Sequence, residues 1–403
     1  MTLPDRKDKL AIISISVGHF INDAYSNFLG PLLPFLVAKL NFSIAEAGWL
    51  AAIHVISSSF SQPLYGYISD RYLKRAFVVF SPLVTALFMS CLGLASSYWM
   101  LALLLACGGI GIASFHPQGA AMTALASRSR RGLGMSIFVT SGTIGYSLGP
   151  LLITYTVLWF GLERSYFVMI PGLIVFAMLF FLVPATDHSS KAGVQKGLRQ
   201  SLGAVWQPLS KLYILVVIRS AVQMCFVNFL PLYLSERGLS PLLAGKVTTL
   251  FLFFGALGGF SGGTLADKFG GRNVISFSML CSAPLMMGFL LTDGATSYLL
   301  IALGGVALLS TVPVNVVMAQ NLVPHNASIV SALMMGVAWG VGGMFVPLIG
   351  RIADAAGLGR ALMVVALLPL IGFVVAAFLP REGPAEPVAH NNPTSQQTPL
   401  RVD

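Results

Sequence analysis

"GYISDRYLKR" at residues 66–75 returns, altered but legible, as "GTLADKFGGR" at residues 263–272. The two copies lie 197 residues apart and set Gly66 on Gly263 and Asp70 on Asp267. One such echo means little in a glycine-rich chain. The same offset, however, brings Pro34 onto Pro231, Ser43 onto Ser240, Gly48 onto Gly245, Gly145 onto Gly342 and Pro150 onto Pro347. At an offset of 196, "GGIGIASFHPQGAAM" (108–122) lies over "GGVALLSTVPVNVVM" (304–318). A near-constant offset over most of the chain marks a duplication.

Each copy is apolar. The 403 residues are 56% hydrophobic and 9% charged, with a mean hydropathy of +0.82. Soluble domains carry about 25% charged residues, so the composition excludes a water-soluble fold and specifies a membrane protein. About 20 apolar residues cross the hydrocarbon core as a helix. Such runs lie at 10–38, 46–68, 76–95, 99–122, 132–158, 165–184, 211–235, 242–265, 273–292, 297–321, 328–352 and 360–380. The expected fold is therefore an all-α membrane protein of twelve transmembrane helices in two pseudo-symmetric six-helix bundles. A β-barrel would show ~10-residue alternating segments instead. The expected divisions are a first bundle at 1–184, a cytoplasmic linker at 185–210, a second bundle at 211–380 and a disordered cytoplasmic tail at 381–403.

The net charge of +10 is a matter of topology. With the N-terminus inside, 17 of the 24 Lys and Arg residues fall on the inner side, six on the outer side, and Arg219 within a span. This positive-inside bias puts both termini in the cytoplasm and needs no nucleic-acid partner. The charged start leads into a span too long for a signal-peptide core. Cys91, Cys107, Cys225 and Cys281 all fall in apolar runs, which argues against a disulfide framework or a metal site. No Walker motif, G-x-S-x-G or zinc spacing occurs, so neither an enzyme nor a cofactor is expected.

Two parallel six-helix halves suggest a secondary transporter with its site at mid-membrane between them. Here the motifs become specific. "GYISDRYLKR" resembles the major facilitator signature G-x-x-x-D-R-x-x-[KR]-[KR] at Gly66, Asp70, Arg71, Lys74 and Arg75. "GTIGYSLGPLL" resembles the G-x-x-x-G-P motif of drug/proton antiporters at Gly145, Gly149 and Pro150. "GHFINDAYSNF" (18–28) and "ASFHPQGAAM" (113–122) resemble the H-x-x-N-D and F-H-P-E segments of the fosmidomycin-resistance branch, with Gln118 in place of Glu. The resemblance implies a twelve-helix transporter, monomeric by default, in the inner membrane.

The residues themselves point the same way. A carboxylate inside a span costs several kcal/mol and usually faces water or a partner, which marks Asp23 as a proton site. His19 is four residues earlier on the same helix face, and His116 precedes Pro117 on the fourth span. Both are candidate proton partners. His54 heads a polar stripe with Ser57, Ser58, Ser61 and Gln62 that serves packing or a cavity. Under the repeat Arg219 corresponds to Asn22, so the two are expected to face each other across the cavity. Arg219 then either grips an anionic substrate bidentately or neutralises Asp23. Asn22, Asn27, Gln118, Gln223 and Asn315 complete the candidate substrate set, with Asn228 and Gln320 nearby. Trp339 and Tyr146 are better read as aromatic packing than as cavity lining.

Gly66, Asp70, Arg71, Arg75, Gly263 and Asp267 are expected to gate. Asp70 can cap a neighbouring helix N-terminus, and Arg71 can pair with a carboxylate or with C-terminal carbonyls. Gly145, Gly149 and Pro150 let the fifth helix approach its partner and bend. The expected function is proton-coupled export of a small polar or anionic drug-like compound by alternating access. The alternative is a proton symporter importing a small organic anion.

Overall fold

The computed structural model describes residues 4–71, 74–128, 131–184, 203, 205–323, 330, 331 and 333–380. Most of the linker and all of the tail lie outside the described residues, as do the side chains of Gly66, Asp70 and Arg71.

Among the described residues, ten helical stretches are long and apolar enough to cross a membrane, and these fall in the third to twelfth apolar runs. The first two runs are broken, a departure from twelve continuous helices. The first run forms α1 (Arg6–Ser26) and α2 (Leu29–Leu40). Asn27 closes α1 with a non-helical ψ of 30°, and its N–H turns back to Ala24 O. Pro31, four residues on, has no N–H to offer the Asn27 carbonyl. The second run forms α3 (Ile44–Val55), a π-turn at Ile56–Phe60 and α4 (Gln62–Arg71). Around that turn Ser57, Ser58 and Gln62 donate side-chain hydrogen bonds to the carbonyls of His54, Val55 and Ser58. Such local bonds compete with the helix ladder.

The rest of the first half is α5 (Lys74–Ser90), α6 (Tyr98–Ala126), α7 (Arg131–Phe160) and α8 (Met169–Leu182). The second half holds α9 (Trp206–Glu236), α10 (Pro241–Phe269), α11 (Gly271–Leu291), α12 (Gly294–Leu309) and α13 (Thr311–Leu322). A second π-turn at Leu333–Val337 leads into α14 (Ala338–Gly343), α15 (Val346–Ala356) and α16 (Leu358–Ala376).

The duplication persists at single hydrogen bonds. Ser43 caps α3 by accepting from Glu46 N at 3.1 Å, and Ser240 caps α10 by accepting from Leu243 N at 3.3 Å. Arg75 donates to Phe180 O at 2.5 Å, and Arg272 donates to Ala377 O at 2.6 Å. Both members of each pair are related by the 197-residue offset. A guanidinium on carbonyls at a helix C-terminus favours the dipole and satisfies orphan acceptors.

Apolar burial does not drive helices together in lipid, so close backbone approach matters more. On α7, Gly142, Gly145 and Gly149 form one face against α1. A Cβ at Gly145 would overlap Phe20 O, and one at Gly149 would overlap Ala24 O. Between the halves, backbone-to-backbone junctions lie toward the end of the molecule that carries the α2–α3 turn. There a Cβ at Gly30 would overlap Val227 O, and one at Gly48 would lie 2.7 Å from Pro347 Cα. One at Gly350 would lie 2.6 Å from Ile44 O. Further on, Gly340 meets the Phe60 ring and Gly343 meets Val55. At the opposite end of α10, the space around Gly263 is open and Asp267 is exposed.

Candidate functional site

The sequence around Asp23 folds as α1 because the Asp5 and Asp8 carboxylates satisfy its first turn through a reciprocal capping box. Four-residue spacing then stacks His19 and Asp23 on one face. His19 Nε2 lies 3.2 Å from Asp23 Oδ2, and His116 Nε2, arriving on α6, lies 3.3 Å from Asp23 Oδ1. Asp23 Oδ1 is buried and makes no hydrogen bond, so the His116 contact is an ion-pair approach off the hydrogen-bond angle. The side chains of His19, Asp23 and His116 are 8%, 15% and 27% exposed. The site is therefore closed on the His19 side and more open on the His116 side.

The other nitrogen of His19 fixes its chemistry. Nδ1 lies 2.7 Å from Phe138 O on α7. A carbonyl only accepts, so Nδ1 carries a proton. A neutral His19 then turns an Nε2 lone pair toward Asp23, which a charged carboxylate would repel. The contact is satisfied in two ways: imidazolium against carboxylate, or neutral imidazole against carboxylic acid. Either way one proton resides between them. Phe138 also stacks on the His19 ring at 4.0 Å and 18°. Gly142, one turn along α7, leaves the space that the ring occupies. One oxygen and two imidazole nitrogens within 4.8 Å of one another are also a donor set that a divalent cation could use.

Arg219 on α9 is 2% exposed. It donates to Gln223 Oε1 at 2.9 Å and Ser220 Oγ at 3.0 Å, and its charge sits 5.5 Å over the Trp339 ring. Its Nε has no hydrogen-bond partner among the described residues. Trp339 meets Tyr146 edge to face at 6.4 Å. Tyr146 is flanked on α7 by the glycines that lock onto α1, and its carbonyl accepts from Asn27 Nδ2 at 3.0 Å. The guanidinium thus reaches the α1–α7 pair through two rings. No ion pair joins Arg219 to a carboxylate among the described residues, so the direct Arg219–Asp23 pairing is not the arrangement here. The two aromatics expected as plain packing connect Arg219 to the first half.

Three further placements depart from the sequence expectation. Asn22 does not face Arg219. It is fully buried and its Oδ1 accepts from Thr85 Oγ1 at 2.8 Å, inside the first half. The repeat predicts helix register but not that α1 is already spent against α5 on this face. Gln118 donates to Tyr65 O at 2.8 Å and is 2% exposed, so its amide ties α6 to the second span. Arg75 holds the C-terminal carbonyls of Val183 and Phe180 within its own half. Asn315 is 1% exposed with both amide atoms unpartnered among the described residues. His54 sets its ring nitrogens against Leu105 O and Ser26 O and so joins α3 to α6 and α1. Phe138 and Gly142 were not among the sequence candidates. For Gly142 a signal existed, because it continues the Gly145 and Gly149 face at helical spacing.

Two repeated helical halves with a buried polar site in one and a buried cation in the other are the arrangement of a membrane transporter. The model of the Major Facilitator Superfamily matches residues 15–347 and again 212–401, and the chain belongs to that superfamily. Its members are transporters rather than enzymes. The chain is 31% identical over 386 residues to the MFS-type transporter YfnC of Bacillus subtilis strain 168, covering 92% of this chain and 93% of that protein. It is 29% identical over 373 residues to the fosmidomycin resistance protein of Escherichia coli K12, covering 91% and 92%. Among solved structures, a variant of the nucleoside transporter NupG superposes with a TM-score of 0.78 at 13% identity, covering 92% of this chain and 99% of that one. A bacterial homologue of the lysosomal transporter Spinster, inward-facing and unoccupied, gives 0.78 at 14%, covering 93% and 98%. These two share the fold.

Proposed function

We propose that the protein is a proton-coupled exporter of small polar or anionic drug-like compounds, of which fosmidomycin is the first to test. It resides as a monomer in the inner membrane with both termini in the cytoplasm. The observation that carries the coupling is the single proton that the locked His19 tautomer requires between His19 and Asp23. A site that exists in two proton arrangements of one geometry is suited to releasing that proton when a neighbouring charge changes. Arg219 is the candidate anion site, since its guanidinium is held by neutral partners and by Trp339 rather than by a carboxylate. The relationship to the fosmidomycin resistance protein favours export over uptake. With the basic loops inside, the tightly packed α2–α3 end faces outward.

The test is fosmidomycin flux in proteoliposomes under an imposed pH gradient, comparing the wild type with Asp23→Asn. Asparagine cannot hold the shared proton, so gradient-driven flux is expected to fall to the level of empty vesicles while substrate exchange without a gradient persists. Wild-type gradient dependence in Asp23→Asn would refute the assignment.

A further inference from the structure

The N-terminus of α3 makes an unusual set of contacts. A helix start leaves its first N–H groups without intrahelical partners. Here each has one. Ser43 N donates to Glu46 Oε2 at 2.7 Å, and Glu46 N donates to Ser43 Oγ at 3.1 Å, which completes a capping box. Ile44 N and Ala45 N lie between these two. They donate to Asp354 Oδ1 and Oδ2, both at 2.8 Å. Asp354 is 310 residues further along the chain, on α15, in the opposite half. One carboxylate therefore spans two adjacent amides at the positive end of a helix dipole.

We infer that Asp354 is the residue that holds the α2–α3 end of the transporter shut. The inference rests on the alternating-access reading of the two halves, not on the proton or substrate assignments. The neighbouring packing supports it. Gly48 against Pro347 and Gly350 against Ile44 bring the α3 and α15 backbones into contact over the turns that lead up to the carboxylate. Opening this end requires the second span to leave the eleventh. Both amide–carboxylate bonds must then break together, and two N–H groups return to water. A cap within one half would survive that motion, whereas this one cannot. The bond counts only in the closed state, so it biases the equilibrium between states.

The inference is tested by pulsed dipolar spectroscopy in nanodiscs, with spin labels on cysteines at Ser96 and Thr296. Both residues are exposed at this end, one in each half. The four native cysteines are replaced by alanine. Without substrate or pH gradient, the parent protein is expected to show mainly the short distance. Asp354→Ala is expected to raise the long-distance population on the order of tenfold. Asp354→Asn, which keeps one acceptor, should fall between. A distance distribution in Asp354→Ala identical to the parent would overturn the inference. So would lower melting temperatures in both variants with no longer distance, since that marks a static cap. Neither result depends on transport, so failure of the exporter reading is seen separately.

Discussion

Replacing Gly142 by alanine tests the site without touching a titratable group. The added carbon would lie 2.5 Å from Nε2 and 2.7 Å from Nδ1 of His19, where ordinary contact begins at 3.4 Å. The ring must retreat by about 0.9 Å (3.4 minus 2.5). Its Nδ1–H bond to Phe138 O is 2.7 Å long. A retreat of that size takes it past the ~3.2 Å limit of a good hydrogen bond. Leaving a buried donor unpaired costs roughly 1–3 kcal/mol, or about 5- to 150-fold in an equilibrium. The freed ring can also invert its tautomer, so the single shared proton is no longer required. Gradient-driven fosmidomycin flux is expected to fall by about that factor, with normal expression and substrate exchange. Thr143→Ala, on the exposed face of α7, is the control. Gly145→Ala should behave differently, because its obstacle is the Phe20 backbone carbonyl, which cannot step aside. Wild-type proton dependence in Gly142→Ala would refute the claim that ring position sets the coupling.

Arg219→Lys keeps the charge but loses the fork that reaches both Gln223 and Ser220, so the substrate KM is expected to rise about tenfold with kcat less affected; an unchanged KM in both Arg219→Lys and Arg219→Met would remove Arg219 from the substrate site. At the other end of α1, the Asp8 backbone N–H, opposed by slight burial and aided by Arg128, holds the Asp5 carboxyl below its ordinary 3.8. A depressed carboxyl contributes stability above its unfolded value and loses it as the pH falls through the folded value. Amide exchange in residues 5–10, corrected for intrinsic rates, should therefore accelerate below about pH 3.8, whereas Asp5→Ala, which has no side-chain acceptor for Asp8 N, should exchange fast at every pH.

The fold was largely legible because its signals are long. Apolar runs and a 197-residue offset survive any local irregularity, and the offset extends to single bonds at Arg75 and Arg272. What windowed hydropathy cannot register is a short break whose few polar residues are averaged into a long apolar run. The first span is interrupted at Asn27 and the second at a π-turn, yet both read as continuous runs. In the site, His19 and Asp23 were legible through helical spacing. His116 was a candidate as an imidazole before Pro117 on the fourth span and through the motif resemblance, but its approach to Asp23 was not readable, since 97 residues of chain separate it from His19. Asn22 misled because pseudo-symmetry gives the register of a residue, not the partner already present in its own half. Phe138 acts through its backbone carbonyl, which no side-chain pattern reports. Asp354 was unreadable for a related reason, as its partners are two main-chain amides in the other half.

The bond from His19 to Phe138 O has one more consequence. An imidazole conducts when a proton enters at one nitrogen and leaves at the other. The Phe138 carbonyl neither supplies nor removes protons, so His19 has a single working terminal. It is a cul-de-sac: it can store charge for Asp23 but cannot pass it onward. Under the proposed coupling, the more exposed imidazole of His116 is the histidine through which this carboxylate exchanges protons with bulk water. Under the same coupling, two histidines that look interchangeable in composition divide into a reservoir and a port.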